Sequence, residues 1–241
     1  MRAEVRFVVP EADAADFAGT TVVVIDVLRA TSSMVEALAQ GARAIYPAES
    51  TEEAMRLLQS LGRDDLLLCG ERRGLKIEGY DLGNSPAEFT DDVVGDRQLV
   101  MNTTNGTRAF VAAQGADRVV AAAFSNLAAV TDAVARAERL VVLCAGREGR
   151  FALEDALCAG LLLRRLEAAL GDVLELGDGA RVARLLCDSY EPDTEFLAGT
   201  DAGMALAEAG FEADLEWCAR VDRHRVVPEL HDRMIRKADG T

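Results

Sequence analysis

Lysine is nearly absent from this chain: Lys76 and Lys237 are the only two in 241 residues. Histidine is as scarce. His224 and His231 lie amid charged residues near the end of the chain, and their spacing does not support a two-histidine metal site. They read as surface or cavity-rim residues, and Trp217 and Cys218 read as core. The five cysteines, Cys69, Cys144, Cys158, Cys187 and Cys218, are odd in number and contain no C-x-x-C pair. That argues against a disulfide framework or zinc knuckle and for a reducing cytoplasm. No run of about 18 apolar residues is present to span a membrane. Met1 to Pro10 carries charges rather than the long apolar run of a signal peptide.

Positive charge is the other shortage. Asp and Glu total 41 against 26 Lys and Arg, a net charge of −15. Such a surface repels nucleic acid and anionic lipid, so neither nucleic acid nor membrane is an expected partner. It also repels an anionic substrate at long range, so any anion site must be a local basic pocket. An acidic, lysine-poor surface suits a high-salt cytoplasm; genome composition that replaces Lys by Arg gives the same pattern.

What is present is an ordinary globular composition, 50% hydrophobic, with enough length for a buried core. β-Branched runs alternate with helical patterns. Strands are predicted at Val22–Val27, Ala44–Tyr46, Leu66–Cys69, Leu99–Asn102, Arg118–Ala121 and Leu140–Cys144. Helices are predicted at Ala30–Gly41, Ser50–Leu61, Thr107–Gln114, Ser125–Ala137 and Phe151–Leu170. Gly70 to Pro86 reads as irregular. Beyond Gly171 the pattern weakens, with helices at Ala180–Asp188 and Thr200–Ala209 and an edge strand at Val226–Val227. The alternation implies an α/β fold: one domain over residues 1–241, with a mainly parallel or mixed sheet covered by helices on both faces. The last third would add helices and a flap.

In an open parallel sheet, ligands bind at the carboxyl ends of the strands. Four such ends carry polar loops with arginine: Asp26 to Thr31, Cys69 to Gly74, Asn102 to Arg108 and Cys144 to Arg150. In so acidic a chain, that points to an anion site with carboxylates beside it. The Asn102–Thr107 loop is the natural phosphate cradle. Gly106 allows close approach, Thr103, Thr104 and Thr107 offer hydroxyls, and the following helix start offers N–H groups. The same residues also read as an Asn-Gly turn with a cap. The G-x-x-x-x-G-K pattern of a Walker loop is missing.

Asp26 closes a hydrophobic strand, where a carboxylate is costly unless paired or bound to metal. Arg29 is one partner and magnesium another. A nucleophilic Asp of the haloacid dehalogenase type needs a second Asp at position 28, which is Leu28. Glu71, Asp81, Glu154 and Asp155 complete the carboxylates. Magnesium usually takes one or two carboxylates plus waters and substrate oxygens. The bland readings are an ion pair of Glu71 with its neighbouring arginines, and Glu154 and Asp155 favoured by a helix dipole. Cys144 to Arg150 also matches the C-x-x-x-x-x-R spacing of cysteine phosphatases, although Leu143 and Phe151 depart from that pattern.

Taken together, the segments Asp26-Val27-Leu28-Arg29-Ala30-Thr31, Gly70-Glu71-Arg72, Gly79 to Pro86, Thr104 to Thr107, and Ala145-Gly146 with Glu154-Asp155 resemble the motif series of the 2-phosphosulfolactate phosphatases. Order and spacing agree from about residue 20 to 160, and Asp222 to Asp232 resembles the family's end. Tyr80 stands where Phe is expected. That family acts in coenzyme M and sulfolactate pathways. The resemblance implies a three-layer α/β/α fold and Mg2+-dependent hydrolysis of a small anionic phosphate monoester, with 3-sulfolactate as product. It carries over Asp26, Arg29, Glu71, Arg72, Asp81, Asn84, Asn105, Gly106, Thr107, Glu154 and Asp155. Asp26, Arg29, Glu71 and Asp155 are then expected to be catalytic. Asp26, Glu71, Asp81, Glu154 and Asp155 are the expected metal set. Arg72, Asn84, Thr104, Asn105, Gly106, Thr107 and Arg147 are expected on the substrate. Three rivals stand beside it: a phosphatase for another phosphorylated hydroxy acid, a metal-independent cysteine phosphatase using Cys144 and Arg150, and a non-catalytic binder of a phosphorylated metabolite. A homodimer is the expectation for assembly.

Overall fold

The computed structural model describes residues 1–9, 14–62 and 65–240. Its strands are β1 (Arg2–Arg6), β2 (Thr21–Ile25), β3 (Ala44–Pro47), β4 (Leu66–Arg72), β5 (Leu75–Lys76), β6 (Gln98–Asn102), β7 (Arg118–Ala122), β8 (Arg139–Cys144), β9 (Glu175–Leu176), β10 (Pro228–His231) and β11 (Met234–Lys237). Its helices are α1 (Ala30–Ala39), α2 (Thr51–Leu61), α3 (Asp91–Val94), α4 (Gly106–Ala112), α5 (Leu127–Val134), α6 (Leu153–Leu170), α7 (Asp178–Leu186), α8 (Thr194–Ala198), α9 (Asp201–Glu208) and α10 (Ala213–Cys218).

The strands form one sheet in the order β5-β4-β6-β3-β11-β10-β7-β2-β8-β1-β9. Two parallel blocks, β4-β6-β3 and β7-β2-β8-β1-β9, are joined by the antiparallel hairpin β10-β11. The hairpin turns at Asp232 and Arg233, both with positive φ, as a two-residue turn requires. The edge strand expected at Val226–Val227 is therefore misplaced. Those two residues are buried just before β10, and the pairing lies in the middle of the sheet.

Side chains alternate across the sheet with period two. On one face, Val22, Val24, Leu143, Ile45, Leu99 and Met101 pack with Met34 and Leu38 of α1 and with Phe110 of α4. On the other, Val23, Ile25, Val142 and Cys144 pack with α5, α6 and α7. Under the first block, Leu66, Leu68 and Val100 pack with Ala54 and Leu58 of α2. This is the three-layer α/β/α arrangement, with both faces covered as buried parallel strands require.

The hairpin reverses strand direction between the blocks. The loops that follow β2 and β8 in one block and β4 and β6 in the other nonetheless meet at one place. The shared cluster of Ile45, Leu99 and Met101 with Val22, Val24 and Leu143 shows both blocks packed against the same helices. Among the described residues, no helix is long and apolar enough to cross a membrane.

Candidate active site

The loops after β2, β4, β6 and β8 line one cavity of about 270 Å³, closed on a further side by Ala202, Ala205 and Leu206 of α9. That volume is on the scale of a small metabolite, not a polymer.

Its floor is acidic. Asp26, Glu154 and Asp155 are each over nine-tenths buried, as is Glu71. Burial pushes the Asp26 carboxyl up to about 7, with Glu71 and Glu154 raising it further and the Ala30 N–H pulling it down. Burial also holds Asp155 well above the usual carboxylate range, reinforced by Glu154 and Asp26. Glu154 is raised by burial against lowering by backbone hydrogen bonding, the Thr200 hydroxyl and Arg147. Asp155 also has a structural task. Its Oδ1 accepts from the Val27 N–H at 2.8 Å and its Oδ2 from the Gly146 N–H at 3.1 Å, tying the β2 and β8 loops together. Glu71 likewise accepts from Gly74 N–H at 2.8 Å and Thr104 N–H at 2.7 Å, tying the β4 and β6 loops.

The rim is basic, with Arg73 and Arg147 on the wall. Asn84 and Thr104 also lie on the wall, but Asn84 Oδ1 and Thr104 Oγ1 are buried away from the open space and have no hydrogen-bond partner.

A family model described as 2-phosphosulpholactate phosphatase matches residues 7–233. The chain belongs to this family of phosphoric monoester hydrolases. It is 42% identical over 210 residues to a probable 2-phosphosulfolactate phosphatase of Deinococcus radiodurans, covering 86% of each chain. It is 39% identical over 211 residues to one from Thermotoga petrophila, covering 87% of this chain and 88% of that one. A Clostridium perfringens relative of the same description is 37% identical over 232 residues, covering 95% and 93%.

Of the expected site residues, Asp26, Arg29, Glu71, Asn84, Thr104, Asn105, Arg147, Glu154 and Asp155 line the cavity. Gly106 stands directly behind Asp26: a Cβ there would come within 2.8 Å of Asp26 Oδ2 and closer still to Ala30. The other three lie elsewhere. β4 continues through Arg72, so strand alternation sends Glu71 inward and Arg72 away. The Arg72 guanidinium instead donates to the Glu71 carbonyl and to Asn102 Oδ1. Asp81 is exposed and its carboxylate accepts from the Leu68 N–H at 2.8 Å, so it does not join the carboxylate set. Thr107 is fully buried. Its hydroxyl donates to the Thr103 carbonyl and its N–H to Thr103 Oγ1, which closes the loop on itself rather than on a ligand.

Arg29 differs from its expected partner. It does not pair with Asp26. Its guanidinium donates to Asp214 of α10 at 2.6 Å and to the Gly74 carbonyl at 2.7 Å, above the Phe211 ring. Asp214 also accepts from the Ser85 hydroxyl. Sequence reading missed Asp214. Its signal was an acid four residues before Cys218, which puts it on the buried face of α10.

A cysteine phosphatase with Cys144 as nucleophile is not what this fold builds. Cys144 is completely buried in the core between β2 and α6, and burial drives its thiol well above the normal value. A nucleophilic thiol needs the opposite shift and access. Arg150 is exposed and lies outside the cavity.

Proposed function

We propose that the protein hydrolyses 2-phosphosulfolactate to 3-sulfolactate and inorganic phosphate, with Mg2+ in the acidic cavity. The observation that carries the reading is the pairing of a buried carboxylate floor with an arginine rim. A protein that only bound a phosphorylated metabolite would gain nothing from acids held beside it. The family descriptions support the substrate.

The residues fit magnesium chemically. The donors are oxygens alone, and a bound cation would offset the burial that raises their proton affinities. Among the described residues no three His, Cys, Asp or Glu groups form a ready-made cage. Magnesium does not need one, since one or two carboxylates with water and phosphate oxygens suffice. Asp26 and Glu154 would hold it, while Asp155 and Glu71 fix the loops that carry them. When bound, the ion would neutralise phosphate charge and activate a water or steady the leaving oxygen.

The chain's own groups supply the rest. Arg73 and Arg147 bind the anionic ends of the substrate, for which the planar guanidinium is suited. Asn84 and Thr104 complete the polar part of the wall. Leu28, Ala202, Ala205 and Leu206 provide the apolar wall that limits water. The five buried free thiols fit a reducing cytoplasm.

The test is phosphate release from racemic 2-phosphosulfolactate, with magnesium and with EDTA. Release that needs magnesium and falls with Asp26→Ala supports the reading. Release unaffected by EDTA removes magnesium from it, and release from other phospho-hydroxy acids alone reassigns the substrate.

A further inference from the structure

Beside the acidic cavity lies a second compartment of about 230 Å³ that shares Arg147, Glu148, Glu154 and Ala202 with it. Arg150, which the proposed reaction leaves without a task, lines this compartment. Arg147 to Arg150 is a two-residue hairpin. Arg147 and Arg150 exchange both backbone hydrogen bonds at 2.9 Å, and Glu148 and Gly149 have φ of 51° and 74°. Residues paired in this way project their side chains from the same face, about 5.5 Å apart at Cα. Like charges so placed repel unless something negative lies between them.

Nothing in the protein fills that place among the described residues. Neither arginine forms an ion pair with a carboxylate. Among the described residues the Arg147 guanidinium donates to the Asp201 carbonyl, at 3.2 Å. The acids on this wall are Glu148, Glu154 and Asp201. Glu154 lines both compartments and feels the charge of Arg147 without forming an ion pair with it, while Glu148 and Asp201 are exposed. Phe151, half exposed and edge-on to Phe7 at 5.3 Å between ring centres, gives the compartment an apolar side.

The geometry points to an anion subsite at Arg147 and Arg150 that takes a tetrahedral oxyanion next to the ester-cleaving cavity. It rests on the phosphatase reading for its source. That oxyanion is either the sulfonate end of the substrate or the inorganic phosphate released by hydrolysis. Both present oxygens that a guanidinium fork can bind in pairs.

Arg150→Ala in the intact chain separates the cases. The measurement is kcat/KM for 2-phosphosulfolactate and for 2-phospholactate, which lacks the sulfonate, with the inhibition constant of inorganic phosphate. If the sulfonate occupies the subsite, the ratio of the two kcat/KM values falls by roughly tenfold to a hundredfold, the size of a charge-assisted hydrogen bond. Arg150→Lys would then recover part of it. If released phosphate occupies it, the ratio holds and the inhibition constant rises by a similar factor. A variant that changes neither, or that slows both esters equally with unchanged phosphate inhibition, overturns the subsite. Should the protein cleave neither ester, calorimetric titration with inorganic sulfate decides separately. Weaker sulfate binding by Arg150→Ala than by the parent sustains the subsite, and equal binding removes it.

Discussion

Asp26 and Asp155 are both buried acids with raised proton affinity, yet amide substitution should separate them. Asp26 uses Oδ1 to accept the Ala30 N–H, and Asn can do the same. Asp26→Asn removes a buried charge that burial already disfavours. The metal-free variant should therefore melt higher than the parent at pH 8, while turnover falls by roughly a hundredfold or more. Asp155 accepts backbone N–H groups on both oxygens. Asn offers one acceptor, so Asp155→Asn leaves one buried N–H unpaired. That costs about 1–3 kcal/mol and offsets the relief of its own buried charge, so Asp155→Asn should melt lower than Asp26→Asn. Paired thermal melts check the contrast, and an equal or larger gain in Asp155→Asn would refute the structural role given to Asp155. Cys144→Ser makes the complementary point. With the thiol sealed in the core, turnover at a temperature where the variant is folded should stay within about threefold of the parent. Loss of activity in a folded variant would restore the thiol mechanism.

At the scale of elements, the Arg29–Asp214 pair joins pieces that are far apart in the chain. Arg29 opens α1, Gly74 lies after β4, and Asp214 belongs to α10. The side chains are 2% and 4% exposed, so removing one leaves a charge without water. Asp214→Ala should destabilise by about 3–5 kcal/mol, visible in a urea melt. Asp214→Asn, which keeps an acceptor for Arg29, should lose less; equal losses would mean that the charge, and not the hydrogen bond, is what matters. The same contrast explains what could be read without coordinates. Val22–Ile25 and Leu140–Cys144 announce themselves by local runs, and the cavity loops follow directly from them. Glu71 and Arg72 were treated alike because the end of β4 was set too early, at Cys69 rather than Arg72. Alternation then puts the two on opposite sides. β1, β9 and the β10-β11 hairpin are short, and their places depend on partners far along the chain, such as Arg2 beside Arg139 and Ile235 beside Ile45. Asp214 was hidden for the same reason, since nothing near it in sequence reveals Arg29.

For the whole molecule, the acidic floor makes stability a function of pH and magnesium together. Asp26 titrates at 3.8 in the unfolded chain and at about 7 in the folded one. The folded state therefore holds its proton more tightly, and Asp26 takes stability away as pH rises from about 4 to about 7. The raised Asp155 and Glu154 act in the same direction. The net charge of −15 adds general repulsion over this range, so a falling Tm in EDTA would not by itself identify the cavity. Magnesium provides the discrimination. A cation that binds only the folded state raises Tm by mass action, and protons on Asp26 compete with it. The Tm gain on adding magnesium should thus be small at pH 5.5, grow through pH 7 and level off above it. In Asp26→Asn the gain should be smaller at every pH and nearly flat. Calcium-free melts in magnesium and in EDTA, across pH 5.5 to 8.5, read both variants directly. A magnesium gain independent of pH, or equal in parent and Asp26→Asn, would place the ion on the diffuse acidic surface instead of on the cavity floor.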